Sequence, residues 1–177
     1  MSQPPTISPD PSVGPVWFWR EFESPYGFMS QWYESSFEVD GVTYQTAEMW
    51  MMIQKAKLFG DEEIAREMMK TAVPREHQAL GRRAKGFDRK KWDEHKSRIV
   101  EEGNYHKFTK GKESADMRTK LLATGDRELV EASPSDRIWG IGFGAADAEA
   151  NRDKWGENRL GKAITNVRQR LRDEGHK

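Results

Sequence analysis

Glu48 and Lys55 are the residues whose types and spacing point first to chemistry. Seven residues at about 100° each return to within about 20° of the start, so on a helix both side chains leave from one face, roughly 10 Å apart along the axis. Between them stand Met49, Trp50, Met51, Met52 and Ile53, five large apolar side chains in a row. A charge pair at this spacing also describes an ordinary solvated helix face. The apolar block favours a pair that lines a pocket. Partial burial raises the pKa of a carboxyl and lowers that of an amine, the combination needed for a general acid and an amine nucleophile.

Weaker signals lie further along the chain. Trp92, between Lys91 and Asp93, reads either as a core anchor or as a platform for a flat ligand, and seven tryptophans are many for 177 residues. "DRIWGIGFG" sets Trp139 before Gly140, Gly142 and Gly144, which lets backbone approach a ligand or turn tightly. "GENRLGKAI" places Gly156, Asn158 and Gly161 at a helix start, where backbone amides can hold a phosphate. His106 and Lys107 are either exposed or part of a site. The histidines show no metal-ligand spacing, and there is no cysteine. No metal and no cofactor is therefore expected. No G-x-G-x-x-G, Walker, H-E-x-x-H or G-x-S-x-G motif occurs, so dinucleotide-fold, P-loop, zinc-protease and hydrolase-elbow readings have no support.

The elements that must position these residues read as follows. Residues 1–15 carry five prolines and form an expected disordered tail, followed by a single domain over 16–177. "VWFW" at 16–19 suits a short strand. Asp40-Gly41 between Phe37, Val39 and Val42, Tyr44 marks a β-hairpin. Thr46 caps a helix that stops near Gly60. Four more helices start at the acids near Asp61, at Pro74, after a cap at Asp88 and after a cap at Ser114, with Gly103 a weak point in the third of these. Residues 127–161 read as a long irregular stretch, and loops of that length are usually functional or disordered. A last helix carries Leu160, Ile164, Val167 and Leu171 on one face. Nothing suggests a parallel sheet. The fold class is mainly α (α+β): a multihelical single domain with a short β-hairpin near its start.

Composition narrows the class. Charged residues make up 33% and hydrophobic ones 36%, with 29 basic against 29 acidic groups. A strongly basic nucleic-acid binder is disfavoured, although Arg82, Arg83, Lys85, Arg89, Lys90 and Lys91 could form a local basic rim or a plain solvated face. No apolar run is long enough to span a membrane, and the opening residues lack the basic and apolar regions of a secretory signal. The absence of cysteine fits a reducing compartment. The expected location is cytoplasmic, with the nucleus open.

Taken in order, "VDGVTYQTAEMWMMIQKAKLFGD", "LGRRAKGFDRKKWDEHKSRI", "YHKF", "LLATGDRELVEASPSDRIWGIGF" and "GENRLGKAITNVRQRL" resemble the NADAR family (NAD- and ADP-ribose-associated, YbiA-like), over about residues 37–171. The chain departs from the family pattern at Gln31-Trp32, where Asn-Phe is usual, and at Ile141, where some members carry an acid. The resemblance implies a mostly helical fold and N-glycosidase chemistry at a ribose C1′ joined to an exocyclic amine. Two substrate classes come with it: ADP-ribose on guanine in DNA or RNA, favoured here, and the ribosylamine phosphates of riboflavin biosynthesis. Such an N-ribosylamine opens to an imine, a lysine exchanges with the leaving amine, and water releases the sugar from the Schiff base.

Carried over position by position, the resemblance makes Glu48, Lys55 and Lys107 catalytic, with Lys55 preferred as the Schiff-base amine and Lys107 its rival. Lys107 could instead bind a phosphate as a point charge. Trp92, Glu131, Trp139, Gly140, Asn158 and Gly161 become substrate-binding: the tryptophans for stacking, Gly140 and the helix start at Asn158–Gly161 for ribose or phosphate. The competing reading is a binding module that holds ADP-ribose or NAD without turnover.

Overall fold

Thr46 begins the element around which the others are arranged. In the computed structural model, which describes residues 13–177, the Thr46 hydroxyl accepts from the Met49 amide at 3.1 Å and caps α1 (Ala47–Leu58). Ala47, the run Met49 to Ile53 and Ala56 are all buried, so α1 is enclosed on nearly every side. Burying side chains of this size contributes roughly 1.5–3 kcal/mol each. Around α1 pack α2 (Glu62–Met68), α3 (Pro74–Arg82) and α4 (Arg89–Lys110). Asp61 caps α2 by accepting from Ile64, Pro74 opens α3, and Asp88 caps α4 by accepting from Lys91 at 2.8 Å. α5 (Ser114–Leu122) follows; Glu113, not Ser114, takes its cap position. The Ser114 hydroxyl instead accepts from Arg118 within the helix.

Gly103 does not break α4, which runs through it without interruption. A Cβ there would collide with the indole of Trp50, whose Nε1 donates to the Ile99 carbonyl of α4 at 3.0 Å. The missing side chain lets α4 lie against α1. Gly81 does the same for α3, where a Cβ would strike Met52.

The hairpin stands as read: β2 (Phe37–Val39) pairs antiparallel with β3 (Val42–Tyr44). Its turn residues Asp40 and Gly41 both have positive φ, 52° and 78°, as a two-residue hairpin turn of this hand requires. The expectation of no parallel pairing is overturned. β1 (Val16–Phe18) lies parallel to β4 (Leu129–Glu131), with Phe18 opposite Glu131. Each strand is three residues long, too short for alternation to show in sequence, and the partners are far apart along the chain. The long stretch after Arg127 therefore contains β4, then α6 (Ala145–Ala148) and a 3-10 segment, Glu149–Lys154. The last helix, α7 (Arg159–Asp173), buries Leu160, Ile164, Val167 and Leu171 against α4 and β4. Residues 1–12 of the expected tail lie outside the described part. Gly14 and Pro15 are tied down, their carbonyls accepting from Arg127. No helix among the described residues is long and apolar enough to cross a membrane.

Candidate active site

One face of α1 opens on a cavity of about 820 Å³. Glu48, Met51, Met52 and Lys55 form its α1 wall, so the seven-residue pair does point into one space. Trp92 from α4 and Trp139 from the loop after β4 stand on the wall, and Glu131 ends β4 beside Ser133 and Asp136. Trp19 to Phe22, following β1, and Ser30 to Trp32 close another side. Parallel pairing of β1 with β4 is what brings Glu131 to this place.

Glu48 is buried, at 4% exposure. Its amide donates to the Gln31 carbonyl at 3.0 Å, and among the described residues no side chain hydrogen-bonds its carboxylate. Burial, then the negative charge of Asp136, pushes its pKa up to about 7, with Lys55 and Arg82 opposing. Glu131 is driven to about 8 by burial first, then by Asp136 and Glu48. Its residue surface is partly exposed, but Oε2 is shut away from solvent and unpartnered. Lys55 is half-buried, and burial holds its amine below the ordinary lysine range against the pull of Glu48. Its Nζ lies 4.8 Å from the ring centre of Phe87 and 5.5 Å from that of Trp92. A partly desolvated amine thus shares a cavity with two carboxyls that keep protons near neutrality. That arrangement supports proton transfer and amine addition at one carbon.

Lys107 is elsewhere. It is fully buried and absent from the cavity wall. Its Nζ donates to the Ser30 carbonyl at 2.9 Å, between the rings of Tyr33 and Phe108, and no carboxylate among the described residues pairs with it. Burial alone lowers its pKa to about 7. On the same helix Asn104 donates to the Gln31 side-chain carbonyl at 2.8 Å. Lys107 and Asn104 therefore grip the Ser30–Gln31 turn that in turn holds Glu48. Sequence reasoning singled out Gln31 only as a departure from the family pattern and missed Asn104; an asparagine and a lysine three apart within a buried helix face were the available signal.

Gly140, Asn158 and Gly161 lie behind β4, not on the cavity. The Asn158 amide bridges the strand, donating to the Leu129 carbonyl at 2.9 Å and accepting from the Glu131 amide at 3.0 Å. Gly161 lets α7 press against the Leu129 carbonyl, where a Cβ would not fit, and Gly140 gives the same clearance at the Glu131 carbonyl. The expected phosphate-binding helix start meets a physical obstacle. The amides of Asn158, Arg159 and Leu160 already donate to the carbonyls of Gly140, Ile138 and Trp139. This departs from the expectation of contact with ribose or phosphate: as folded, the three residues position Glu131. Arg82 and Asp136, which shape the electrostatics, were not singled out from sequence as site residues. Among the described residues, no three histidine or acidic side chains are grouped as metal ligands.

The model of the NADAR domain matches residues 17–172. An N-glycosidase of Acanthamoeba polyphaga mimivirus is 41% identical over 79% of this chain and 85% of its own length. An N-glycosidase of Nostoc punctiforme is 33% identical, covering 89% and 93%. The N-glycosidase YbiA of Escherichia coli is 30% identical, covering 82% of each. The NMR structure of the E. coli protein YbiA superposes with a TM-score of 0.73 at 28% identity, over 91% of this chain and 86% of that one.

Proposed function

The chain belongs to the NADAR domain family, and from that premise we propose that it is an N-glycosidase that cleaves the bond between a ribose C1′ and an exocyclic amine of a nucleobase, with ADP-ribosylated guanine as its substrate. The observation that carries the reading is the convergence of Glu48, Lys55 and Glu131 on one cavity flanked by Trp92 and Trp139. A volume of about 820 Å³ suits a ligand larger than a ribosylamine monophosphate.

Glu48 delivers a proton to the ring oxygen as the C1′–O bond breaks, and the nitrogen lone pair of the base forms the C1′ imine. The neutral Lys55 amine adds to C1′. A proton passes from the lysine nitrogen to the base nitrogen by way of Glu48, and the base leaves as its free amine. Water adds to the remaining lysine imine, restores the Lys55 amine and frees the sugar, which recloses. The net reaction consumes one water and releases one base. Glu131, protonated near neutrality, donates a hydrogen bond to a sugar hydroxyl. Lys107 serves as a positioning residue beneath the Ser30–Gln31 turn.

The test is incubation of the purified protein with ADP-ribosylated guanosine and, separately, with a riboflavin-pathway ribosylamine phosphate, following base release by chromatography. Release of guanosine from the first supports the reading. Release from the second alone reassigns the substrate. Intact recovery of both, with ADP-ribose bound, makes the protein a binding module.

A further inference from the structure

Many arginines outside the cavity are paired with carboxylates, although Arg66 and Arg83 are exposed and have no such partner among the described residues. Arg89, Arg98, Arg152, Arg159, Arg170 and Arg172 each pair with a carboxylate. Arg20, Arg75 and Arg82 line the cavity, and among the described residues no carboxylate pairs with their side chains. Arg75 and Arg82 both belong to α3, seven residues apart, which sets them on one face and about 10 Å apart along the axis. Gln78 lies between them on the same cavity-lining face and accepts from Arg82 at 3.3 Å. The two arginines are not equivalent. Arg82 is close enough for its charge to act on both Glu48 and Lys55. Arg82 also follows Gly81, which packs on Met52 of α1, whereas Arg75 stands about two turns away at the other end of α3.

Two unpaired guanidinium groups at increasing distance from a catalytic carboxyl call for a ligand with anionic groups in series. Guanidinium forks match phosphate oxygens in pairs, and their long stems can converge on neighbouring phosphates. We propose that the α3 face formed by Arg75, Gln78 and Arg82 is a two-phosphate subsite, in which Arg82 takes the phosphate attached to the reacting ribose and Arg75 takes the next one, so that the enzyme selects a diphosphate-linked ribose over a ribose monophosphate. This rests on the N-glycosidase reading for the identity of the reacting ribose. Arg20, stacked 4.1 Å above Trp19, belongs to the segment after β1 and is not needed for the selection.

The experiment measures binding of products, so it does not depend on turnover. ADP-ribose and ribose 5-phosphate are titrated calorimetrically into the wild-type protein and into Arg75→Gln, Arg82→Gln and Arg83→Gln, the last an exposed arginine beside α3 that does not line the cavity. Arg82→Gln weakens both ligands about tenfold or more, as loss of a charge-assisted hydrogen bond implies. Arg75→Gln weakens ADP-ribose by a similar factor and leaves ribose 5-phosphate within about twofold. Arg83→Gln changes neither. Equal losses for both ligands in Arg75→Gln overturn the order of the two positions. Unchanged ADP-ribose affinity in both cavity variants, or no measurable binding of ADP-ribose by the wild type, overturns the subsite. A failure of the N-glycosidase reading shows separately, as absence of base release from a substrate whose product binds as described.

Discussion

Glu48 and Glu131 reach one cavity from different elements, α1 and β4, and burial raises the pKa of both carboxyls, to about 7 and about 8. The negative charge of Asp136 adds to the rise at each. Two neighbouring carboxyls of this kind share their titration, so near neutrality the pair holds a proton that can be exchanged or donated in a hydrogen bond.

The pH–rate profile should follow Glu48. Ring opening needs its proton, so kcat should fall as pH rises through about 7. Glu48→Gln should lower turnover about 100-fold or more with ADP-ribose binding retained. Initial rates of base release between about pH 6 and 9 measure this. A flat profile, or wild-type turnover in the variant, removes Glu48 from the proton transfers.

The same carboxyl should lower stability at high pH. Its folded pKa, about 7, lies above the ordinary 4.5. The folded state therefore binds the proton more tightly, and stability falls as pH rises from about 4.5 through about 7. Glu48→Gln should be more stable than wild type at pH 8, by about 1–3 kcal/mol, since cavity water relieves part of the burial penalty. Denaturant unfolding at pH 5 and pH 8 should show the difference widening with pH. A variant less stable at pH 8 would mean that Glu48 is held by a favourable contact when ionised.

Borohydride added during turnover should fix sugar on Lys55 alone, detected as added mass on one peptide. Lys55→Ala and Lys55→Arg should both abolish the adduct, the first for want of an amine and the second because guanidinium stays protonated. Lys107 has no exposed surface and faces the Ser30 carbonyl. An adduct on Lys107 would show that the Ser30–Gln31 turn opens to substrate. Base release with no trapped lysine would favour direct attack of water on an oxocarbenium-like sugar.

Asn158 should act on the reaction through Glu131. Asn158→Gly tolerates the positive φ of 49° but loses both hydrogen bonds to β4. The expected cost is about 1–3 kcal/mol, because two buried backbone groups lose their partners. KM for ADP-ribosylated guanosine should rise more than kcat falls, since Glu131 is assigned to binding. A variant of unchanged KM would separate Glu131 placement from Asn158.

Gly103→Ala should destabilise the fold by about 1–3 kcal/mol, as overpacking does when neither helix can yield. The Trp50 indole is fixed by its bond to Ile99 and leaves no room for a methyl group. Thermal melts measure it; equal stability would mean that the indole re-seats freely.

The parts of the molecule legible in sequence are those governed by local physics. Thr46 and Asp88 cap the helices that follow them, and Asp40-Gly41 turns a hairpin, so each signal sits within a few residues of its effect. Glu48 and Lys55 were readable as a pair because one helix carries both. β4 was not, since three residues hold no periodic pattern and its partner β1 lies at the far end of the domain. Lys107 and Lys55 look alike in sequence, and only the packing of α4 against the Ser30–Gln31 turn separates a buried brace from a cavity amine. Asn158 carries no local sign that its amide bridges a strand.

The pairing of β1 with β4 also sets a timetable. Glu48 and Lys55 leave the ribosome early, on a helix that needs only its neighbours to form, whereas Glu131 can dock beside β1 only after the intervening helices have been made. A nascent chain therefore carries Glu48 and Lys55 well before Glu131 can join the cavity wall they share, and the final helix, packed against β4, is the last part of that support to be made.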